Sequence, residues 1–250
     1  MRRFFVAPEA VQENIVYFDA ELARHMGKVL RLSAGEQVTV CTGDGSAYLV
    51  VLEQFSKDSV TGRIVEQLDN VQETNIQVVL YQGMPKGDKL ELIIQKCTEL
   101  GISAVIPVET SRSVVHLDGG KASKKLERWQ KIAQEASQQS KRVQVPTVGP
   151  YYNWKQMLQQ LQTDEAKGLT IVFWEDEDTQ SLKALLRSQA EKPQRINLVV
   201  GPEGGLSEDE VEQLRALGAV SASLGKRILR TETAGMAGLS MILYEFDELE

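Results

Sequence analysis

From Ile76 onward the apolar positions fall into two alternating patterns, short unbroken runs and stripes at helical spacing. The unbroken runs are Ile76–Gln82, Ile102–Val108, Thr170–Trp174 and Ile196–Val200, and they read as strands buried on both faces, the parallel-sheet type. Between them lie helical stripes. Asp88 caps one with Leu90, Ile93, Ile94, Cys97 and Leu100 on its face and Gly101 as its stop, and Leu126, Trp129, Ile132 and Ala136 mark another over Ser123–Ser140. Shorter helices are expected near Trp154–Leu161 and Ser181–Ala190. Ser207 and Glu210 form a capping box for a helix carrying Val211, Leu214 and Leu217, with Gly218 past its end. A short strand, Ala219–Leu224, and a last helix rich in Ala, Gly and Met complete the pattern. Strands alternating with helices predict an α/β domain with a five- or six-stranded, mainly parallel sheet covered on both faces.

The first seventy or so residues follow a different period. Val38–Val40, Ala47–Leu52 and Val60–Val65 are short β-branched runs punctuated by Gly35, Gly43-Asp44-Gly45 and Lys57-Asp58, which suits a small β-barrel. A helix is expected over Asp19–Leu30, with Arg24, Lys28 and Arg31 recurring along it. The polar, aperiodic segment Asp69–Asn75 separates the two patterns, so the expected domains are 1–72 and 73–250.

Two successive strands of the second domain end in glycine-bearing loops, Gly201-Pro202-Glu203-Gly204-Gly205 and Gly225-Lys226-Arg227. Ligands of open α/β sheets bind where loops leave the carboxyl ends of strands, so a pocket built by both loops is expected. The first loop is neither a Walker A sequence nor Gly-x-Gly-x-x-Gly, and Glu203 among its backbone N–H groups would repel a polyanion. It suits a ligand bearing hydroxyls or a cation; an ordinary glycine-rich turn is the alternative.

Composition narrows the class. The chain of 250 residues is 42% hydrophobic and 25% charged, with no apolar run long enough to span a membrane and no signal-peptide core at its start. Cys41 and Cys97 sit in no metal-ligand spacing and form no disulfide framework, so no metal is expected and the cytoplasm is the expected compartment. The net charge of −7 argues against a general affinity for nucleic acid. Acid is concentrated in Glu175–Asp178, Glu208–Glu212 and Glu245–Glu250, whereas Lys121–Arg142 is locally basic and reads as a solvated helix face or a local RNA footprint.

The Gly201–Gly205 loop, followed by Leu224-Gly225-Lys226-Arg227-Ile228-Leu229-Arg230-Thr231-Glu232-Thr233-Ala234, resembles the signature of the SPOUT-type RNA methyltransferases. More narrowly it is similar to the RsmE family of 16S ribosomal RNA uridine-N3 methyltransferases. Met1–Phe5, His25–Arg31, Gly83–Lys89 and Gln95–Gly101 match that family in order, across nearly the whole chain. The resemblance implies a PUA-like RNA-binding barrel followed by a knotted α/β methyltransferase domain with a C-terminal trefoil knot. It also implies S-adenosyl-L-methionine as cofactor, the small ribosomal subunit as partner and a homodimer. Carried over by position, it implies that Val200, Gly201, Pro202, Glu203, Gly204, Leu224, Gly225, Ile228, Leu229, Thr233 and Ala234 line the cofactor pocket. Core packing is the alternative for Ile228 and Leu229.

Uridine N3 carries a proton at neutral pH, so its methylation needs positioning, a proton acceptor and stabilisation of developing negative charge, but no covalent nucleophile. Arg230 is the candidate for stabilising negative charge on the uracil or binding its phosphate, and Glu232 for accepting the proton; an ion pair between the two is the alternative. Arg2, Arg3, Arg24, Arg31, Lys86, Lys89 and Arg112 are candidate RNA contacts. A non-catalytic ribosomal-RNA-binding assembly factor is the second reading, against which the intact loop motifs speak. A nucleotide-cofactor oxidoreductase is the third, and the missing dinucleotide fingerprint disfavours it.

Overall fold

The computed structural model describes residues 1–56, 59–68 and 73–249. These form two compact units, one of Met1–Glu73 with Ser137–Val145 and one of Thr74–Ala136 with Pro146–Glu250. The expected turn at Lys57-Asp58 and residues 69–72 of the expected boundary segment lie outside the described residues.

In the first unit, strands β1 (Arg3–Phe5), β2 (Val11–Gln12) and β3 (Ile15–Phe18) precede a short helix α1 (Ala20–Arg24). Strands β4 (Gln37–Cys41), β5 (Ala47–Phe55) and β6 (Val60–Gln67) follow. They make a six-stranded sheet in the order β1-β4-β5-β6-β3-β2, with β1 parallel to β4 and the other pairs antiparallel. The strand at Ile15–Phe18, absent from the sequence expectation, has the period of two that a half-buried strand requires: Val16 and Phe18 face the core while Ile15 and Tyr17 face out. Phe4, Val16, Phe18, Met26, Val38, Val40, Val50, Leu52 and Val60 share that core, and Phe4 and Phe18 meet edge to face at 6.4 Å. Each such side chain contributes about 1.5–3 kcal/mol on burial. Gly62 is required where β6 crosses β5, because a Cβ there would stand 2.5 Å from Val50 Cγ1.

The expected helix over Asp19–Leu30 is regular for its first part alone. Asp19 caps α1 by accepting from the Leu22 N–H at 2.8 Å, but after Arg24 the chain widens into a π-helical turn over His25–Val29, and Arg31 takes φ 54°. Arg24, Lys28 and Arg31 therefore do not follow one helical register. Met26, fully buried within the turn, anchors it.

Ser137–Val145 belongs to this unit through non-local contacts. Glu73 pairs with Arg142 at 2.8 Å and accepts the backbone N–H groups of Val143 and Gln144 at 2.9 and 3.0 Å. Val143 packs with Phe5, Cys41 and Ala47.

The second unit begins with β7 (Gln77–Gly83), α2 (Lys89–Glu99), β8 (Ala104–Glu109) and α3 (Gly119–Ser140). It continues with β9 (Thr147–Val148), β10 (Tyr152–Asn153), α4 (Trp154–Leu161), β11 (Leu169–Phe173) and α5 (Leu182–Arg187). It ends with β12 (Arg195–Val200), α6 (Glu208–Ala216), β13 (Val220–Ala222) and α7 (Thr231–Glu245). Every pairing in its seven-stranded sheet is parallel, in the order β10-β8-β7-β12-β11-β13 with β9 beside β8. The sheet is wider than expected because β9 and β10 are too short to show a period. Asp88 sits at the N-cap of α2 without a side-chain hydrogen bond, whereas the Ser207–Glu210 capping box is complete.

The basic stretch on α3 is largely a paired and solvated face: Arg128 bonds Glu91 at 2.7 Å, and the Lys125 ammonium lies 5.8 Å from the Trp129 ring centre. On α7, the close-packed face is Ala234, Gly235, Gly238, Leu239 and Ile242, while Met241 is 46% exposed. A Cβ on Gly238 would stand 2.2 Å from Phe173, so glycine lets α7 lie directly on the sheet.

Candidate active site

Three neighbouring strands, β12, β11 and β13, end on the same edge of the sheet, and the loops that leave them enclose a cavity of about 820 Å³. Its walls come from 173–181 after β11, 200–206 after β12 and 222–231 after β13, with Lys89 from the start of α2. Of the residues expected in a cofactor pocket, Val200, Gly201, Pro202, Glu203, Leu224, Gly225, Ile228, Leu229 and Ala234 line it. Gly204 and Thr233 are exposed and do not. Ile228 is 82% exposed, which removes core packing as its explanation.

Steric crowding explains the glycines. A Cβ on Gly201 would stand 2.7 Å from the Gly205 carbonyl carbon, and one on Gly205, whose φ is +69°, would meet Glu175 Oε1 at 2.9 Å. Gly225 has φ +115° and nothing within 4 Å of where its Cβ would point. The first loop is thus folded tightly on itself, and the second offers open space.

Each loop is held from a distance. Glu203 accepts the Lys86 N–H at 3.1 Å and the Lys89 ammonium at 2.7 Å. Burial raises the Glu203 pKa, but hydrogen bonds from Lys89 and the backbone outweigh it and the carboxyl titrates below its ordinary value. The same carboxylate holds Lys89 above the usual lysine value. Arg112 donates to the Gly204 carbonyl at 2.8 Å and lies 3.9 Å from Glu175. Buried Glu210 accepts from Ser111 N–H at 2.7 Å and Ser207 N–H at 2.9 Å, joining the loop after β8 to the start of α6.

The third wall rests on Glu177, which sequence reasoning did not single out. This carboxylate is buried and accepts from the N–H groups of Thr179 and Gln180, both at 3.0 Å, from Arg215 at 3.1 Å and from the Ser221 hydroxyl. The hydroxyls of Ser221 and Thr179 bring its pKa down to about 2. Arg215 also covers the Trp174 ring at 5.1 Å. Nothing local in Trp174–Asp178 distinguishes Glu177 from its three acidic neighbours; its distant partners, Ser221 and Arg215, come from β13 and α6.

Arg230 and Glu232 stand where the third loop enters α7. The Arg230 side chain is 84% exposed and lines the cavity, with Nη1 at 4.0 Å from Glu232 Oε1. Glu232 does not line the cavity; its side chain is 15% exposed, and its Oε2 is buried without a hydrogen bond, 3.6 Å from the Lys89 ammonium. Both the functional and the ion-pair reading of these residues are compatible with that contact.

Across the chain, residues 72–243 match the model of the RNA methyltransferase domain and residues 18–65 that of the RNA methyltransferase PUA domain. The chain belongs to the RNA methyltransferase family. Ribosomal RNA small subunit methyltransferase E of Bacillus subtilis is 40% identical over all of this chain and 98% of its own length. The structure of ribosomal RNA small subunit methyltransferase E from Neisseria gonorrhoeae bound to S-adenosyl methionine superposes with a TM-score of 0.85, at 32% identity over 98% of both chains. A Legionella pneumophila protein solved with bound cofactor SAM gives 0.84, at 30% identity over 97% of both.

This methyltransferase carries the expected basic residues on both units. Arg2 donates to the Leu30 carbonyl and half-buried Arg3 to the Arg142 carbonyl, each at 2.8 Å. Arg24, Arg31 and Lys86 are exposed, whereas Lys89 and Arg112 are engaged by the loop after β12. Among the described residues no group of three or more His, Cys, Asp or Glu is placed to hold a metal ion, and no helix is long and apolar enough to cross a membrane.

Proposed function

We propose that this chain methylates N3 of a specific uridine in the 16S ribosomal RNA of the small subunit, using S-adenosyl-L-methionine. The observation that carries the reading is the cavity between the Gly201–Gly205 and Leu224–Arg230 loops, with an exposed guanidinium on its wall and a carboxylate beside it.

The cavity suits the cofactor. Val200, Leu206, Leu224 and Ala234 offer apolar walls for an adenine, the Gly201 and Gly225 loops bring backbone groups close, and Glu175 and Glu203 supply negative charge for a cationic ligand. Bound there, the cofactor supplies an electrophilic methyl group on a sulfonium. Glu232 accepts the N3 proton through its Oε1, and exposed Arg230 offsets the negative charge that spreads over the uracil carbonyl oxygens. Holding the base against the cavity supplies much of the rate. Val200, Gly201, Pro202, Glu203, Leu224, Gly225, Ile228, Leu229 and Ala234 hold the cofactor, with Gly204 and Thr233 shaping the loops beside it.

Arg2, Arg3, Arg24, Arg31, Lys86, Lys89 and Arg112 are proposed to serve RNA binding. The domains are read as 1–72 and 73–250, with the second knotted near its C-terminus. The return of α7 from the edge strand β13 to pack on α2, β7 and β12 supports the knot. Met241 and Tyr244 on α7 and Leu92 on α2 are exposed apolar side chains, which supports a homodimer. Light scattering would give twice the 27.8 kDa chain mass, and a monomer at working concentration contradicts this. The proposed compartment is the cytoplasm.

The test compares wild type with Arg230→Ala for cofactor binding by calorimetry and for single-turnover transfer to unmodified small subunits. The reading predicts cofactor affinity within about twofold and a rate lower by about a hundredfold or more. An unchanged rate contradicts the role of Arg230.

A further inference from the structure

Lys89 is the first residue of α2, reached through a turn in which Gly87 takes φ +63°. Its ammonium is shared by two carboxylates from separate parts of the chain: Glu203 Oε1 from the loop after β12 at 2.7 Å, and Glu232 Oε2 from the first turn of α7 at 3.6 Å. The two oxygens of Glu232 differ. Oε2 is buried, makes no hydrogen bond and has the Lys89 ammonium as its neighbouring charge, while Oε1 lies 4.0 Å from exposed Arg230.

We infer that Lys89 is a positioning residue for methyl transfer: its ammonium holds Glu232 Oε2 in place, leaving Oε1 for the uracil proton. The inference rests on the proposed role of Glu232 as proton acceptor. A buried, unbonded carboxylate oxygen is costly unless a counter-charge stands beside it. Around Glu232 the charged groups are Lys89 from α2, Arg230 from its own helix start and, across Lys89, Glu203 from the loop after β12. Without the ammonium, Glu203 and Glu232 face each other as like charges with no cation between them. The ammonium is held at hydrogen-bond distance by Glu203 and kept protonated, unable to act as a base itself. The same bond links the cofactor loop to the proton acceptor, so the two are set by one cation.

The test is the pH dependence of single-turnover transfer for wild type, Lys89→Met, Lys89→Arg and Glu203→Gln, with cofactor affinity and thermal stability measured on each. Lys89→Met is expected to lower the rate about tenfold and move the acidic limb up by about one pH unit, with cofactor affinity changed less than about threefold. Lys89→Arg restores both. Glu203→Gln removes a competing carboxylate and leaves the acidic limb in place or lower, a result that stands even where Lys89→Met folds poorly. A rate loss in Lys89→Met that follows lost cofactor affinity, with an unmoved acidic limb, overturns the inference and leaves Lys89 as a tether of the cofactor loop. A wild-type product other than N3-methyluridine overturns the proton-acceptor reading instead, whatever the Lys89 variants do.

Discussion

Thr231 accepts a hydrogen bond from Gln82 Nε2 at 2.8 Å, and its own hydroxyl donates to the Gly201 carbonyl at 2.6 Å. Both side chains are buried, and Gln82 also reaches the Gly201 carbonyl at 3.3 Å. The end of β7, the loop after β12 and the start of α7 therefore meet at one polar node behind the cavity wall.

Thr231→Val keeps the shape and removes the hydroxyl. A buried donor and acceptor left short of a partner cost about 1–3 kcal/mol, so urea unfolding should show a loss of that order. Cofactor affinity should fall about tenfold as the two loops lose their shared anchor. Wild-type stability and affinity in this variant would show that the node does not set the cavity.

Gly83 lies outside the cavity, yet a Cβ there would stand 2.5 Å from Pro202 Cδ and 2.8 Å from the Gly201 carbonyl carbon. Gly83→Ala must displace the loop that forms one wall. Calorimetry should show cofactor binding weakened by about tenfold or more, against little change for Gly120→Ala, where the Cβ meets nothing within 4 Å. Equal affinities in the two variants would mean that the loop moves without consequence.

Glu177 gives a pH signature. Its carboxyl, lowered to about 2 in the folded chain from the ordinary 4.5, contributes stability that is complete above about pH 5 and is lost as pH falls toward 2. Glu177→Gln should be less stable than wild type by about 1–3 kcal/mol at pH 7. The gap should narrow below pH 4.5 and close near pH 2, as followed by urea titration across that range. A gap that stays constant with pH would remove the ionised carboxylate as its cause.

What the sequence made legible was what local physics encodes. The apolar run Ile196–Val200 is a buried interior strand, paired with β7 on one side and β11 on the other, and the Ser207–Glu210 box starts α6 where expected. Both glycine loops were visible because close backbone packing leaves a residue-type signature. The remainder depends on partners far along the chain. Arg3–Phe5 becomes a strand by pairing with Thr39–Cys41, and Ser137–Val145 joins the first unit through Glu73. Glu177 acquires its role from Ser221 and Arg215, and Lys89 from Glu203 and Glu232. No window of sequence around any of these residues carries that information.

The central claim is most directly tested by the identity of the product. Small ribosomal subunits lacking the modification are incubated with the wild-type chain and methyl-labelled S-adenosylmethionine, and the ribosomal RNA is digested to nucleosides. The account predicts label in N3-methyluridine at a single position. Label in another nucleoside, or none despite measurable cofactor binding, would contradict it.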